Sequence, residues 1–338
     1  MKPKVSIVVP NYNHARFLKS RLDSILGQTL RDFEVICIND ASTDSSLEVF
    51  ASYASDPRVR MAHNAKNSGN VFKVWNKGIQ IARGDYIWIA EADDCAEPTL
   101  LETLAKLLDD DERVGVAYCQ SRIVNDAGEE CYLNTRHTQD IDANRWMHDY
   151  RTAGTEECRK YLVIRNTIPN ASAVVFRRSL YERIGGAPED FKLSGDWMTW
   201  IKMLLISDVA FHARALNSFR QHGDTQRSKW TADATWIEER YRVLKFVLEQ
   251  CNPDPTALEQ ARQLCFSALF EHIRYRKEVD QFRQSALLKM AKECDALFQG
   301  RWRRARATQS IRWCQEFMRR GRHRLANGLR RCFPVKTP

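Results

Sequence analysis

The sequence lacks the long apolar runs and the paired cysteines that mark several classes of protein. No run approaches the ~20 apolar residues that a membrane-spanning helix needs. The ten cysteines are scattered from Cys37 to Cys332, and none forms a Cys-x-x-Cys pair. A disulfide framework is typical of small secreted domains, and structural zinc sites need closely spaced ligands. We therefore expect free thiols, most of them buried, and neither a disulfide scaffold nor a zinc site.

The N-terminus also lacks a signal-peptide pattern. Its first apolar run, at residues 5–9, is too short for a signal-peptide core, and no small-residue cleavage site follows it. We interpret this run as a first β-strand. The expectation is a cytoplasmic protein, either free or peripheral on the cytoplasmic face of the inner membrane.

Acidic residues are almost absent from the end of the chain. Residues 301–338 contain eleven Arg, one Lys and one Glu, a net charge of +11, whereas residues 1–300 hold 40 basic and 42 acidic residues, a net charge of −2. The arginines alternate with apolar residues such as Trp302 and Phe317, so a helix here would be amphipathic and basic. This pattern is typical of segments that lie on anionic membrane surfaces. A helix packed on the body with a solvated basic face is the alternative, and nucleic acid is not expected because no recognition motif accompanies the charge.

Short apolar runs alternate with amphipathic segments along the first hundred residues. The runs are apolar on both faces, as buried parallel strands are, and occupy residues 5–9, 35–38, 59–62 and 86–89. The segments between them carry apolar residues at helical spacing. This alternation predicts an α/β fold with a mostly parallel, Rossmann-like sheet flanked by helices.

The pattern becomes less regular further along the chain. It predicts helices at 98–108 and 197–206 and strands at 114–119 and 173–176, with polar, irregular sequence at 120–155. After about residue 228 it changes to long amphipathic helices without a strand signal. We therefore expect a body at 1–228 and an α-helical C-terminal region at 229–338, which includes the basic tail.

Polar side chains follow each of the first four predicted strands. They are listed here in chain order: Asn11-Tyr12-Asn13, Asn39-Asp40-Ala41-Ser42, Asn67-Ser68-Gly69-Asn70 and Glu91-Ala92-Asp93-Asp94. Each one alone is compatible with a turn or a helix cap. Because open α/β sheets bind ligands at the carboxyl ends of their strands, four such ends in succession favour a ligand site at this edge.

The acidic cluster Glu91-Ala92-Asp93-Asp94 is the most specific of these signals. Three carboxylates within four residues repel one another unless a cation lies between them. Hard oxygen ligands suit Mg²⁺ or Mn²⁺, and Mg²⁺ usually keeps substrate phosphates among its ligands. A solvated acidic loop, with Asp94 or Glu97 assisting the start of the next helix, is the alternative.

Together these motifs resemble glycosyltransferase family 2, whose members have the nucleotide-binding GT-A fold. The matching segments are residues 5–13 (VSIVVPNYN), 34–44 (EVICINDASTD), 67–70 (NSGN), 76–78 (NKG) and 84–94 (GDYIWIAEADD). The resemblance is collinear over about residues 4–120 and weaker to about 228. It implies a nucleotide-sugar-binding half at about 1–120 and an acceptor half at 121–228.

The resemblance implies a role for individual residues on the nucleotide side. Pro10 and Tyr12 would line the base pocket, with Tyr12 against the base. Asp40 would accept a hydrogen bond from the base, and Asn67 would lie near the nucleotide.

The resemblance also implies a site for Mn²⁺ or Mg²⁺. Asp94 would ligate the metal, and Asp93 would reach the ribose or the metal. Family members often have Asp at the position of Glu91, whose longer side chain changes the reach of a possible ligand. In the segment Phe219-Arg220-Gln221-His222, His222 would supply another ligand or meet the diphosphate, and Arg220 would offset phosphate charge.

Residues 193–200 resemble the family segment that carries the catalytic base. Members commonly have Glu-Asp there and this chain has Gly195-Asp196, so only Asp196 takes over the role. A base must remove the proton of the acceptor hydroxyl as the sugar carbon is attacked. From the residues alone, Asp196 is equally suited to cap the helix that follows. The segment Asn170-Ala171-Ser172 also resembles a family segment, which implies that Asn170 or Ser172 would face the acceptor.

The function that the resemblance implies is an inverting transfer of a sugar from a nucleotide sugar to a hydroxyl of a saccharide or lipid-linked saccharide, in bacterial surface polysaccharide assembly. Two alternatives stay open. A sugar-nucleotide nucleotidyltransferase shares the nucleotide-binding half, but its Gly-rich, basic phosphate loop is missing after the first strand. A non-catalytic glycan-binding module is the other, although Asp40, Asp94 and Asp196 are retained.

Overall fold

The computed structural model describes residues 2–168, 170–221, 234–275 and 281–308. The chain divides into two compact units, Met1–Cys265 and Phe266–Pro338. The first unit contains the sheet and the segments that the sequence marks for chemistry.

The first third of the chain forms four parallel strands joined by helices, as predicted. The strands are β1 (Val5–Asn11), β2 (Phe33–Asn39), β3 (Val59–His63) and β4 (Tyr86–Ile89). The helices between them are α1 (Ala15–Leu26), α2 (Ser46–Ala51) and α3 (Val71–Gln80). The spatial order β3-β2-β1-β4 places the carboxyl ends of all four strands at one edge. β1, β2 and β4 are buried throughout, which explains why their sequences are apolar on both faces.

The following residues extend this sheet with strands of both directions. The elements are β5 (Cys95–Ala96), α4 (Leu100–Asp109), β6 (Val114–Val124), β7 (Glu130–Leu133), β8 (Tyr150–Ala153), α5 (Gly154–Glu157), β9 (Val174–Arg177), α6 (Arg178–Arg183), α7 (Gly195–Leu204) and β10 (Asp208–Arg220). Beyond β4 the order continues β9-β6-β10-β5, with β7 on β6 and β8 on β10. β9 is antiparallel to both neighbours, whereas β6 and β10 are parallel. β6 and β10 therefore run in the same direction as β1–β4, so the sheet is mostly parallel, as predicted, with β9 reversed within it.

Two parts of the second half differ from the sequence-based expectation. β6 does not end near Cys119 but continues to Val124 and forms a hairpin with β7. Its polar residues Gln120 and Ser121 are buried, and the Asn217 amide donates to the Ser121 hydroxyl, so hydrogen bonds replace apolar packing there. The 13-residue strand β10 was not predicted, because half-buried His212 and exposed Arg214 interrupt its apolar pattern.

The motif Asn76-Lys77-Gly78 brings α3 close to the sheet. A Cβ atom on Gly78 would lie 2.4 Å from Val8 Cγ1, so a larger residue there would push α3 away from β1. Asn76 donates to the Ala187 carbonyl at 3.0 Å and accepts from the Tyr181 hydroxyl at 2.6 Å. The motif thus fixes α3 against both halves of the sheet.

After residue 234 the described residues contain helices and no strand, in agreement with the predicted helical region. These helices are α8 (Thr235–Gln250), α9 (Pro255–Tyr275), α10 (Gln281–Cys294) and a stretch at 298–308. Within the second unit, Phe266, Phe270, Phe298 and Trp302 pack ring against ring at centroid distances of 5.3–6.3 Å. The boundary near 228 stays a prediction. Among the described residues, no helix combines the length and apolarity needed to cross a membrane.

Candidate functional site

The loops after β1 and β2 are tied together at the carboxyl edge of the sheet. The Ser42 hydroxyl accepts from the Asn11 amide at 3.1 Å and from the Asn13 backbone N–H at 3.0 Å. The Asn13 side chain accepts from the Thr43 N–H at 2.7 Å. Asn13 and Ala41 both have φ of 58°, a left-handed conformation that costs energy for Ala. These contacts fix the shape of the edge where the resemblance places the nucleotide base.

Of the predicted base-pocket residues, Pro10 is buried and Tyr12 half-buried. Asp40 is 4% exposed and already carries several hydrogen bonds. It accepts from Asn64 Nδ2 at 2.5 Å and from both the backbone N–H and the hydroxyl of Ser68, at 3.0 and 2.7 Å. Asp40 therefore joins the β2 end to the loop after β3, in addition to any contact with a base.

Asn67 lies on the exposed part of that loop. Its side-chain oxygen accepts from the Gly69 N–H at 2.6 Å, and Gly69 has φ of 64°. The next residue, Asn70, caps α3 by accepting from the Phe72 N–H at 2.8 Å. The segment Asn67-Ser68-Gly69-Asn70 is thus a built turn that presents Asn67 at the same edge as Asp40.

Glu91 is turned toward α3. Its Oε1 accepts from the indole N–H of Trp75 at 2.9 Å, and its backbone N–H donates to the Ser172 hydroxyl at 3.0 Å. Burial, with repulsion from Asp93 and Asp94, raises the pKa of Glu91 to about 8. The Glu91 carboxylate is therefore engaged by α3, which leaves it less suited than Asp94 to the predicted role of a metal ligand.

Asp94 is 2% exposed and is held from two sides. Its Oδ1 accepts from the Arg220 backbone N–H at 2.9 Å and its Oδ2 from the Asn170 amide at 3.2 Å. Burial raises the pKa of Asp94 to about 7, and the Asp93 carboxylate adds to the increase. Asp93 itself is half-buried at the same edge.

A buried arginine lies among these acidic groups. Arg21, on α1, is fully buried, and its guanidinium carbon lies 4.9 Å from the Trp88 ring centroid. Within the described residues, none of its three guanidinium nitrogens has a hydrogen-bond partner. Burial lowers the pKa of Arg21, whereas Asp94, Glu91 and Asp93 act to raise it. Arg21 thus contributes a fixed positive charge to the acidic cluster.

The acidic cluster offers carboxylate oxygens, which are the type of ligand that Mg²⁺ and Mn²⁺ take. Among the described residues, no group of three or more His, Cys, Asp or Glu side chains converges as a complete ligand set. The Asp94 carboxylate accepts hydrogen bonds from Asn170, Ser172 and the Arg220 backbone, and its repulsion from Asp93 favours an added cation. A metal held by one or two carboxylates and completed by substrate phosphates fits this set. The other predicted ligand, His222, lies outside the described residues.

Asp196 lies in the first turn of α7, where the sequence also allowed a capping role. Its Oδ1 accepts from the Trp197 N–H at 2.7 Å, and its Oδ2 accepts from the Asn166 amide at 2.9 Å. The carboxylate is half-buried, next to the buried Trp197. Asp196 is therefore positioned through Asn166 rather than by helix contacts alone.

One loop hydrogen-bonds both Asp94 and Asp196. Asn166 binds Asp196, and Asn170, four positions later, binds Asp94. Ser172, in the next turn, binds the backbone of Glu91. Asn170 and Ser172 both hydrogen-bond the acidic cluster, and the prediction that one of them faces the acceptor stays a prediction.

Sequence reasoning missed three of these residues. Arg21 and Trp75 sit at helical spacing on amphipathic helices, where they look like surface and core residues. Asn166 lies just after a π-helical turn at Cys158–Leu162, in a stretch without a recognisable motif.

Arg220, predicted to offset phosphate charge, is 7% exposed, and its guanidinium donates to the carbonyls of Asp93 and other loop residues.

Comparison with known proteins identifies the family. A family model described as Glycosyl transferase family 2 matches residues 6–185, more than half of the chain. The chain belongs to glycosyltransferase family 2. A curated family 2 relative, the uncharacterized glycosyltransferase YibD of Escherichia coli (strain K12), is 35% identical over 144 residues, which are 42% of this chain and 39% of YibD. The chain thus spans well under two thirds of that relative.

Solved structures show the GT-A fold. S. aureus TarS 1-349 in complex with UDP-GlcNAc has a TM-score of 0.61 at 16% identity and covers 85% of this chain and 79% of its own. The mannosyltransferase PcManGT from Pyrobaculum calidifontis, in complex with GDP-Man and Mn²⁺, has a TM-score of 0.55 at 18% identity, with 87% and 80% covered. At these identities the likeness concerns the fold of this family 2 chain.

Proposed function

We propose that the protein is an inverting glycosyltransferase that moves a sugar from a nucleoside-diphosphate sugar to a hydroxyl of a saccharide or lipid-linked saccharide. The observation that carries this proposal is the loop that binds Asp94 through Asn170 and Asp196 through Asn166. The same loop thus hydrogen-bonds two carboxylates, one suited to hold a cation beside the leaving diphosphate and one suited to take a proton from the acceptor hydroxyl.

The donor is a nucleotide sugar bound along the carboxyl edge of β1, β2 and β4. Pro10 and Tyr12 line the base pocket, Asp40 accepts from the base, and Asn67 lies near the nucleotide. Family membership and two neighbours of the same fold, which hold UDP-GlcNAc and GDP-Man, support this assignment.

A divalent cation, Mn²⁺ or Mg²⁺, belongs to this site. Asp94 holds it, together with Asp93 where that side chain does not bind the ribose, and His222 is a further candidate ligand. When bound, such an ion neutralises charge on the departing nucleoside diphosphate. Glu91, which accepts from Trp75 and has a raised pKa, is better suited to shape the cluster than to serve as a ligand.

Asp196 is the catalytic base. It removes the proton of the acceptor hydroxyl as that oxygen attacks the anomeric carbon from the face opposite the diphosphate. The bond to the diphosphate oxygen breaks as the new glycosidic bond forms, so the configuration inverts in a single displacement. The Asn166 amide keeps the carboxylate oriented during this step.

The acceptor belongs to surface polysaccharide assembly on the cytoplasmic side of a bacterial membrane. The support is the basic segment 301–338, whose net charge of +11 suits an anionic lipid surface. A lipid-linked saccharide is anchored at such a surface, so this class of acceptor fits the charge of the basic segment.

A thermal-shift screen of nucleoside diphosphates, each with and without Mn²⁺, tests the donor and metal assignments together. We expect one or two nucleotides to raise the Tm only when Mn²⁺ is present, and to fail with Asp94→Ala. Stabilisation by free saccharides without any nucleotide or metal effect would favour a glycan-binding module instead.

A further inference from the structure

A buried carboxylate on α8 holds the segment that leads into Asp196. Glu239 is 2% exposed and accepts three backbone N–H bonds from consecutive residues. Its Oε1 accepts from Lys192 at 2.5 Å, and its Oε2 accepts from Leu193 at 3.0 Å and from Ser194 at 2.7 Å. Ser194 directly precedes α7, whose first two residues are Gly195 and Asp196. A single side chain thus fixes the backbone immediately before the proposed base.

Neighbouring residues of α8 hold the same region. The guanidinium of Arg242 donates to the Asp190 carbonyl at 3.3 Å and lies 4.0 Å from the Phe191 ring centroid. Arg240 donates to the Ile164 carbonyl at 2.7 Å. α8 therefore contacts both the chain segment before α7 and the segment before Asn166.

The nucleotide loop holds this segment from the other side. The Asn70 amide donates to the carbonyls of Glu189 and Phe191, at 2.7 and 2.8 Å, while its oxygen caps α3. Residues 189–194 therefore run from the loop that presents Asn67 to the start of α7. A displacement of this segment would change the distance between Asp196 and a bound donor.

We propose that Glu239 is a positioning residue for sugar transfer, which acts by fixing residues 192–194 and thereby the Asp196 carboxylate. This inference rests on the proposed function, because it assigns Glu239 a role through Asp196. Three N–H donors converging on one carboxylate form strong, charge-assisted bonds. Fixing a catalytic group to within a fraction of an ångström is worth large factors in rate, since a 1 Å misplacement can cost about 100-fold. On this account α8, although it follows the sheet in the chain, belongs functionally with the enzyme body.

The test compares Glu239→Gln with Glu249→Gln, which makes the same change at an exposed position of α8. Glutamine keeps the shape of Glu239 but leaves at least one of the three N–H donors without an acceptor. For E239Q we expect kcat for transfer to fall about 10- to 100-fold, with the donor KM and the nucleoside diphosphate Kd within about twofold of wild type. Hydrogen exchange of the amides at 192–194 should become faster. E249Q should match the wild type in each measurement.

Two further measurements separate positioning from a general loss of structure. In an Asp196→Asn background, E239Q should cause no further loss of kcat, because a residue that acts through Asp196 has nothing left to position. Glu239→Asp, which keeps the charge, should recover part of the E239Q loss.

An equal fractional loss in the Asp196→Asn background, or unchanged amide exchange in E239Q, would overturn the inference. If the wild type transfers sugar and E239Q does so equally well, the inference alone fails. If the wild type transfers no sugar from any nucleotide donor, the proposed function fails and the inference falls with it.

Discussion

Asp94 and Asp196 lie in the same unit, but their surroundings suit one to bind a cation and the other to accept a proton. Asp94 is almost fully buried among other carboxylates, with a pKa raised to about 7, and Asp196 is half-buried with one oxygen on the Asn166 amide. The first environment favours an added cation. The second leaves a carboxylate accessible to an acceptor hydroxyl.

Replacement of the proposed base should reduce the chemical step without affecting the donor. We expect Asp196→Asn to lower kcat by about 10²- to 10⁴-fold, the usual contribution of a general base. The affinity for nucleoside diphosphate, measured by calorimetry, should stay within about twofold. Asp32→Asn, at an exposed position of the same unit, is the matched control. Normal turnover by Asp196→Asn would show that another group takes the proton.

Glu91 should make the metal-free protein less stable as the pH rises. Its pKa is raised to about 8 in the folded protein, above the value near 4.3 of an unfolded chain, so the folded state holds the proton more tightly between these values. Stability from this group is complete below about pH 4 and is lost as the pH approaches 8. Glu91→Gln keeps an acceptor for Trp75 without the charge.

Urea unfolding in EDTA measures this effect. We expect Glu91→Gln to be more stable than the wild type by roughly 1–3 kcal/mol at pH 9, with the difference vanishing near pH 4. A constant difference at all pH values would contradict the assigned cause.

At this scale the sequence was informative where chemistry comes in motifs. The sequence singles out Asp40 and Asp94 because polar residues follow apolar strands there, and it singles out Asp196 because residues 193–200 resemble the family segment that carries the base. Arg21 and Glu239 were not found, since a charged residue at helical spacing is ordinarily solvent-facing. Only the packing shows that these two are buried.

Among the elements, the turn at Arg145–Met147 and the helix α5 are joined by a buried ion pair. Arg145 binds Glu157, which is fully buried, and stacks on Tyr150 and Tyr161 with its guanidinium carbon 3.9 and 4.1 Å from the ring centroids. Burial raises the pKa of Glu157, and Arg145 opposes this increase. The pair connects segments that the sequence suggested were irregular.

Removal of one partner of this pair should be strongly destabilising. We expect Glu157→Ala to reduce the free energy of unfolding by about 3–5 kcal/mol, because it leaves a buried guanidinium without its carboxylate. Glu156→Ala, which breaks the exposed pair with Lys160, should cost less than about 1 kcal/mol. Urea unfolding of both variants at pH 7 is the measurement. Equal losses for the two would argue against the buried pair as the stabilising contact.

The elements of the first half could be predicted and several of the second could not. β1, β2 and β4 are buried on both faces and therefore read as continuous apolar runs. β10 carries His212 and Arg214 within its length, and β6 continues through Gln120 and Ser121, so neither shows a uniform pattern. Their positions depend on pairing with distant strands, which a local pattern does not record.

Across the whole molecule, the charge is unevenly divided between a near-neutral stretch and a basic end. Residues 1–300 have a net charge of −2 and residues 301–338 a net charge of +11. Trp302 packs with Phe266 and Phe298 in the second unit, so a cut after residue 308 keeps this aromatic cluster. Such a cut removes seven of the eleven arginines of the basic end.

Deletion of residues 309–338 should abolish binding to anionic vesicles. Each basic residue near such a surface contributes about 1 kcal/mol, and the attraction is screened by salt. We expect the full chain, and not the truncated one, to sediment with phosphatidylserine vesicles at low salt, while both transfer sugar to a water-soluble acceptor at equal rates. Equal sedimentation of the two chains, or equal binding to neutral vesicles, would contradict a membrane role for the basic end.

The identity of the released nucleotide, a nucleoside diphosphate or another product, tests whether the protein transfers sugar from a nucleotide sugar. Wild-type protein, Asp94→Ala and Asp196→Asn would each be incubated with Mn²⁺, a panel of nucleotide sugars and saccharide acceptors, and the nucleotide products separated by chromatography. We expect the wild type to release one nucleoside diphosphate from at least one donor for each acceptor consumed, and we expect both variants to lose this activity. Pyrophosphate formation from a nucleoside triphosphate and a sugar phosphate, or full turnover by Asp94→Ala, would contradict it.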